Sequence, residues 1–136
     1  MYAIGVRDHV MIAHSFKGDL FGPAQNMHGA TYVVDVELRR PDLSEHGVVA
    51  DIGRTTTALG RVLGALNFKN LDELEDFRGT NTTTEFLAGH VFREMARKAA
   101  SGELGPGSDG IRTIKVTLWE SHVAWATFEG EVPRDT

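Results

Sequence analysis

The stretch Ala30–Arg39 constrains this chain more than any other. Tyr32, Val34, Val36 and Leu38 share one parity, while Asp35, Glu37 and Arg39 share the other with Thr31 and the exception Val33. Side chains of a strand point to alternate faces, so this pattern describes a strand with one face on an apolar core and the other on water or a polar interior. A second alternating segment, Val6–His14, places Val6, Val10, Ile12 and His14 on one parity, interrupted by Asp8. It reads as a partner strand.

The segments around these strands are legible in the same way. Ser15–Met27 is a loop rich in Gly, Pro, Asp and Asn, and its Phe16, Leu20 and Phe21 fold it back onto the body. Pro41–Gly47 is a turn region, and Gly47–Asp51 is a short extended piece. Ala58, Leu59, Val62, Leu63 and Leu66 recur at helical spacing and predict a helix from about Thr56 to Leu66, capped by Thr55 or Thr56. Asn67–Asn81 is a loop anchored by Leu71, Leu74 and Phe77. Thr82 and Glu85 form a T-x-x-E capping box ahead of the stripe Leu87, Val91, Met95 and Ala99, with Lys98 placed where a helix C-terminus favours a cation. Gly102–Gly110 breaks the chain. Ile114, Val116 and Leu118 then share a parity, and Val123–Glu129 returns antiparallel through a tight turn or bulge at Ser121 and His122. The order β-β-α-α-β-β is an α+β pattern with antiparallel pairing.

Composition narrows the function. A chain of 136 residues is expected to form a single domain, 1–136. Hydrophobic residues at 41% and charged residues at 24% are ordinary for a globular protein. A net charge of −5 and a pI near 5.6 argue against a nucleic-acid partner. The absence of cysteine excludes disulfide scaffolds, thiolate zinc sites, iron–sulfur clusters and cysteine nucleophiles. No stretch resembles a signal peptide or approaches the ~20 apolar residues of a membrane span, so a soluble, cytoplasmic protein with no membrane partner is expected. No dinucleotide fingerprint, P-loop, nucleophile elbow or H-E-x-x-H is present.

Polar residues end the core-facing rows. His14 closes the first row, and the second runs back through Ala30 to His28. The third continues from Leu118 to Glu120 and, if the strand extends, to His122. Burying a polar group is costly unless it is paired. One strand-end histidine is most often simply hydrogen-bonded or half-exposed. Three imidazoles from separate strands have the chemistry of a zinc site with an open position. Glu85 reads first as a cap and Asp51 as a helix-entry residue. His9, His46 and His90 read as exposed or structural.

Taken together, Ile12-Ala13-His14, His28-Gly29-Ala30-Thr31-Tyr32, Val48-Val49-Ala50-Asp51, Leu66-Asn67, Asn81-Thr82-Thr83-Thr84-Glu85 and Leu118-Trp119-Glu120-Ser121 resemble the 6-pyruvoyl-tetrahydropterin synthase family, which includes the bacterial 6-carboxy-tetrahydropterin synthases. The resemblance runs from about Val10 to Glu129. It implies a tunnelling fold, an antiparallel sheet with two helices on one face, closed into an oligomeric barrel as a trimer or hexamer. It also implies a small-molecule heterocyclic substrate, a zinc ion held by three histidines and a glutamate that grips the pterin ring. His14 and His28 match two zinc ligands, and Glu120 matches the gripping glutamate, whose carboxylate can hold an N–C–N edge through two parallel hydrogen bonds. Asp51, Thr83 and Glu85 lie in the matched segments and are further substrate-binding candidates.

The departures bear on mechanism. The third zinc ligand of the family falls at Ala30, its catalytic cysteine at Ala24 and its Asp-His pair at Val62-Leu63. His122 is the candidate to replace them, as a surrogate third ligand or as an acid/base beside Glu120. The expected function is a diverged lyase or cyclase acting on a pterin or similar flat heterocycle. The rival readings are a carbonyl–amine condensation enzyme and a non-catalytic pterin-like ligand binder.

Overall fold

The two alternating segments form one long hairpin. In the computed structural model, which describes residues 1–134, β1 (Tyr2–His14) pairs antiparallel with β2 (His28–Arg40), in register from Tyr2 opposite Arg40 to His14 opposite His28. The last two residues of the expected domain 1–136 lie outside the described residues. β1 begins four residues before Val6. Tyr2 and Ala3 are exposed and Ile4 is half-buried, so hydrophobic parity does not mark this end.

A two-residue strand, β3 (Lys69–Asn70), runs parallel to β1 at Ile12 and Ala13. β4 (Thr113–Ser121) pairs antiparallel with β2, and β5 (Ala124–Glu131) with β4. The sheet order is β3-β1-β2-β4-β5, so the expected antiparallel sheet is mixed at one edge. Two residues are too few to show a period, which is why β3 is invisible in the sequence.

Helices α1 (Ile52–Gly64) and α2 (Thr84–Ala100) cover one face of the sheet. Val34, Val36 and Leu38 of β2 and Ile114, Val116 and Leu118 of β4 meet Leu59, Leu63, Leu87, Val91 and Met95 in one buried cluster. The opposite face is polar and aromatic. Arg7 grips Asp35 through two hydrogen bonds of 2.6 and 2.9 Å, Trp119 Nε1 donates to the same carboxylate at 2.9 Å, and Trp119 packs on Trp125.

Both helix starts differ from the sequence expectation. α1 starts four residues before Thr56, because Asp51 is its cap and accepts from Arg54 N–H at 2.9 Å. Thr55 instead donates to the Asp51 carbonyl. The exposed first turn, with Gly53 in it, carries no apolar signal. The cap of α2 lies one residue after the expected one. Thr83, not Thr82, accepts from Phe86 N–H at 3.1 Å, which places Glu85 too early for a reciprocal capping box. Thr82 turns inward and is 1% exposed. Among the described residues, no helix is long and apolar enough to cross a membrane.

His90 on α2 lies edge-on to Phe77 at 5.1 Å and is half-buried. Burial pushes its imidazole below the ordinary 6.5, with Glu94 and Asp76 opposing and Arg93 and Arg97 assisting. Its neutral form therefore favours the fold. That contribution is complete above about pH 6.5 and is lost as pH falls through the depressed folded value. Urea-unfolding free energies should decline from pH 7 to 5, and the decline should be shallower in His90→Leu. An identical slope in the variant would remove His90 from this account.

Candidate functional site

The register of β1 and β2 sets His14 directly opposite His28, with ring centroids 4.6 Å apart. His14 is 1% exposed, and its Nδ1 lies 3.0 Å from Thr82 Oγ1. His28 Nδ1 lies 2.9 Å from the Asn26 carbonyl. A carbonyl only accepts, so Nδ1 of His28 is the donor of this bond. Phe16 packs against both rings, at 4.5 Å from His14 and 5.5 Å from His28. Burial pushes the His14 pKa down, and the neighbouring His28 adds to this. The Thr82 bond and the Asp72 carboxylate oppose it. Asp72 itself accepts from Ser15, at 3.1 Å from the backbone N–H and 2.5 Å from Oγ.

A second group forms further along the same face. Tyr32 lies four residues beyond His28, and period two keeps both on the core side. Thr84 opens α2, and its hydroxyl donates to Glu120 Oε1 at 3.4 Å. Tyr32 is 1% exposed. Burial pushes its phenol pKa up, a hydrogen bond with Thr84 opposes this, and the Glu120 and Glu85 carboxylates push it further up. The phenol therefore stays protonated beside two carboxylates. The N-terminus of α2 joins the two groups, with Thr82 holding His14 and Thr84 holding Glu120. The helix dipole there favours the negative charges of Glu85 and Glu120.

Glu120 is placed by a bulge. Trp119 pairs with Trp125 and Ser121 with Ala124, so Glu120 is the extra residue between them. A bulge re-aims a side chain and breaks the alternation. The parity that would carry His122 to the face of Glu120 therefore stops, and His122 lies beyond β4 in the exposed turn to β5. Asp51 caps α1 and lines a groove with Tyr2, Ala3 and Ile4, at the opposite end of β1 from His14. Thr83 caps α2. Glu85 is exposed on the first turn of α2, close enough for Tyr32 to feel its charge.

Three side chains of the site carry no label in the sequence. Tyr32 reads there as core, Thr82 as a cap and Phe16 as a loop anchor. The available signal for Tyr32 was its hydroxyl, since a phenol in an apolar row needs a polar partner. Among the described residues there is no group of three His, Cys, Asp or Glu that can hold a metal ion. The residues present do not fit a zinc ion held by three protein ligands, because position 30 offers a methyl. Val62 and Leu63 are buried on the core side of α1, and Ala24 is half-buried in the 3-10 helix Asp19–Gln25.

The Thr82 hydroxyl is the direct partner of the buried His14. Thr82→Val keeps the shape and removes it, which should lower the unfolding free energy by about 1–3 kcal/mol, while Thr82→Ser stays near wild type. Equal urea midpoints for all three proteins would refute the role of this bond.

A family model described as 6-pyruvoyl tetrahydropterin synthase matches residues 3–131. No curated protein matches the chain. Among solved structures, the Caenorhabditis elegans 6-pyruvoyl tetrahydropterin synthase superposes with a TM-score of 0.77 at 25% identity, covering 95% of each chain. The Plasmodium vivax 6-pyruvoyl tetrahydropterin synthase gives 0.73 at 15% identity, covering 97% of this chain and 100% of the other. The Plasmodium falciparum 6-pyruvoyl tetrahydropterin synthase gives 0.72 at 15% identity, covering 96% and 98%. The two Plasmodium likenesses speak to the fold alone.

Proposed function

We propose that this chain, which belongs to the 6-pyruvoyl tetrahydropterin synthase family, binds a pterin or a similar flat heterocycle and acts on it as a diverged lyase or cyclase. The observation that carries the reading is the convergence of Glu120, Thr84 and Tyr32 at the N-terminus of α2, on the sheet face that also carries the His14–His28 pair. Glu120 is exposed, so its carboxylate is accessible to a ligand. A carboxylate accepting two parallel N–H bonds suits the amidine-like edge of a pterin ring. Glu85 adds a second negative charge to the same region, which favours a donor-rich ligand edge over an anionic one. His28, which is only half-buried, is the imidazole available to hydrogen-bond a side chain of the ligand, with the buried His14 packed behind it.

The assembly belongs to the same proposal. β3 pairs with Ile12 and Ala13 of β1, and Met11 is held by Asn67 Oδ1 and Phe68 N–H, which among the described residues leaves residues 2–10 as an open edge and the outer side of β5 without a partner strand. Pairing between copies into a trimer or hexamer covers both.

A second reading, a non-catalytic binder, is favoured by the apolar residues at Ala24, Val62 and Leu63, where the family resemblance calls for a thiol and an Asp-His pair. Both readings use Glu120, and turnover separates them.

Titration with a pterin, followed by ring fluorescence, tests the shared step. Glu120→Gln should weaken binding roughly 10–100-fold, the equivalent of one charge-assisted hydrogen bond. Equal affinity in the variant would sink the assignment. Incubation with dihydroneopterin triphosphate, and with a panel of aromatic amines and aldehydes, followed by mass spectrometry, should yield a product that Glu120→Gln does not form. Tight binding with no new mass would instead favour the binder.

A further inference from the structure

The end of the β1–β2 hairpin holds two imidazoles face to edge, and their surroundings show how they are kept there. Each Nδ1 is within hydrogen-bond distance of an oxygen, Thr82 Oγ1 for His14 and the Asn26 carbonyl for His28. Such partners fix ring orientation, and metal-bound histidines need them as much as metal-free ones do. The difference between the two cases lies in the third donor. Catalytic zinc takes three protein ligands and leaves a fourth position for water or substrate.

Residue 30 is the position on β2 between His28 and Tyr32, on the same face and opposite Ile12. It is alanine, and its methyl has no lone pair. No other donor takes its place, since no group of three His, Cys, Asp or Glu able to hold a metal exists among the described residues. Carbon occupies the neighbourhood instead. Phe16 packs on both imidazoles, and Phe21 packs on Phe16 at 4.8 Å. The loop carrying Phe16 is pinned on both sides of it. Asp72 accepts from Ser15, and Asn81 exchanges two hydrogen bonds with the backbone of Lys17, at 2.9 and 3.0 Å.

We propose that His14, His28 and Phe16 form a metal-free imidazole–phenyl cluster that closes this end of the hairpin, and that zinc binding is withheld by the single methyl group of Ala30. Ala30 is only half-buried, so a longer side chain there is not forced into the sealed core. The inference concerns the imidazole pair alone and stands apart from the role given to Glu120.

The test uses the full chain without any pterin, so its outcome is independent of the binding assignment. Wild type, Ala30→His and the double variant His14→Ala with His28→Ala are stripped with a chelator, dialysed against zinc and analysed for bound metal. Wild type should retain well below one zinc per chain, and Ala30→His about one. Cobalt(II) should give tetrahedral d–d absorption with Ala30→His only, and zinc should raise the melting temperature of that variant only. About one zinc per wild-type chain, lost in the double variant, would overturn the proposal. So would a folded Ala30→His, checked by circular dichroism, that takes up no more zinc than wild type. Should Ala30→His fail to fold, the comparison of wild type with the double variant still decides.

Discussion

Pairing between β1 and β2 runs without a register shift from Tyr2 opposite Arg40 to His14 opposite His28, and the site depends on that register. Because the ladder is uninterrupted, Val6, Val10, Ile12 and His14 face the helices together with His28, Ala30, Tyr32, Val34 and Val36. A slip of one residue in either strand would turn that strand's row to the opposite face and bring its polar row, Arg7 in β1 or Asp35 in β2, into the core. Val34, Val36 and Leu38 are fully buried, which makes that slip prohibitive. The site is thus positioned by the apolar rows of the same two strands. The same sheet then fixes α2 through Leu87, Val91 and Met95, and so sets Thr82 against His14 and Thr84 against Glu120.

The electrostatics of that junction follow from burial. His14 is pushed toward its neutral form, and Tyr32 is held in its neutral form. The charges that remain at the mouth are the exposed carboxylates of Glu85 and Glu120, and both lie where the N-terminal dipole of α2 stabilises them. Asp72 adds no reactive carboxylate, because Ser15 occupies it. The region therefore presents accepting oxygens backed by neutral hydroxyl and imidazole groups, a pattern that complements a ring edge bearing N–H donors.

Hydrophobic period made most of the fold legible, and it failed where geometry is set by single contacts. The alternation in Ala30–Arg39 and the stripe from Leu87 to Ala99 each correspond to an observed element. The cap of α1 carries no periodic signal, because Asp51 precedes an exposed turn that has no apolar marker. The local T-x-x-E pattern marks Thr82 as a cap, yet the buried His14, sixty-eight residues away in sequence, takes its hydroxyl. No local rule sees that competition. Glu120 was placed on the right strand, but the bulge that presents it also removes His122 from the row, and a one-residue insertion in pairing leaves no trace in the alternation before it.

The positions at which the family resemblance implies a departure, residues 24, 30, 62 and 63, sit in very different surroundings. Val62 and Leu63 are 6% and 2% exposed, within the contact between α1 and the sheet. An Asp-His pair there would bury a carboxylate and an imidazole in apolar surroundings, at a cost of several kcal/mol unless new partners came with them. Restoring that pair requires repacking the core. Ala24 is half-buried in a largely exposed 3-10 helix and Ala30 is half-buried on β2, so polar side chains at those two sites meet no comparable penalty. A polar substitution at residue 24 or 30 is therefore a shallow change, and one at residues 62 and 63 a deep one. In a chain arranged in this way the hairpin end accepts a new polar side chain by single substitution, whereas the same change on the buried face of α1 is tied to the packing of the core.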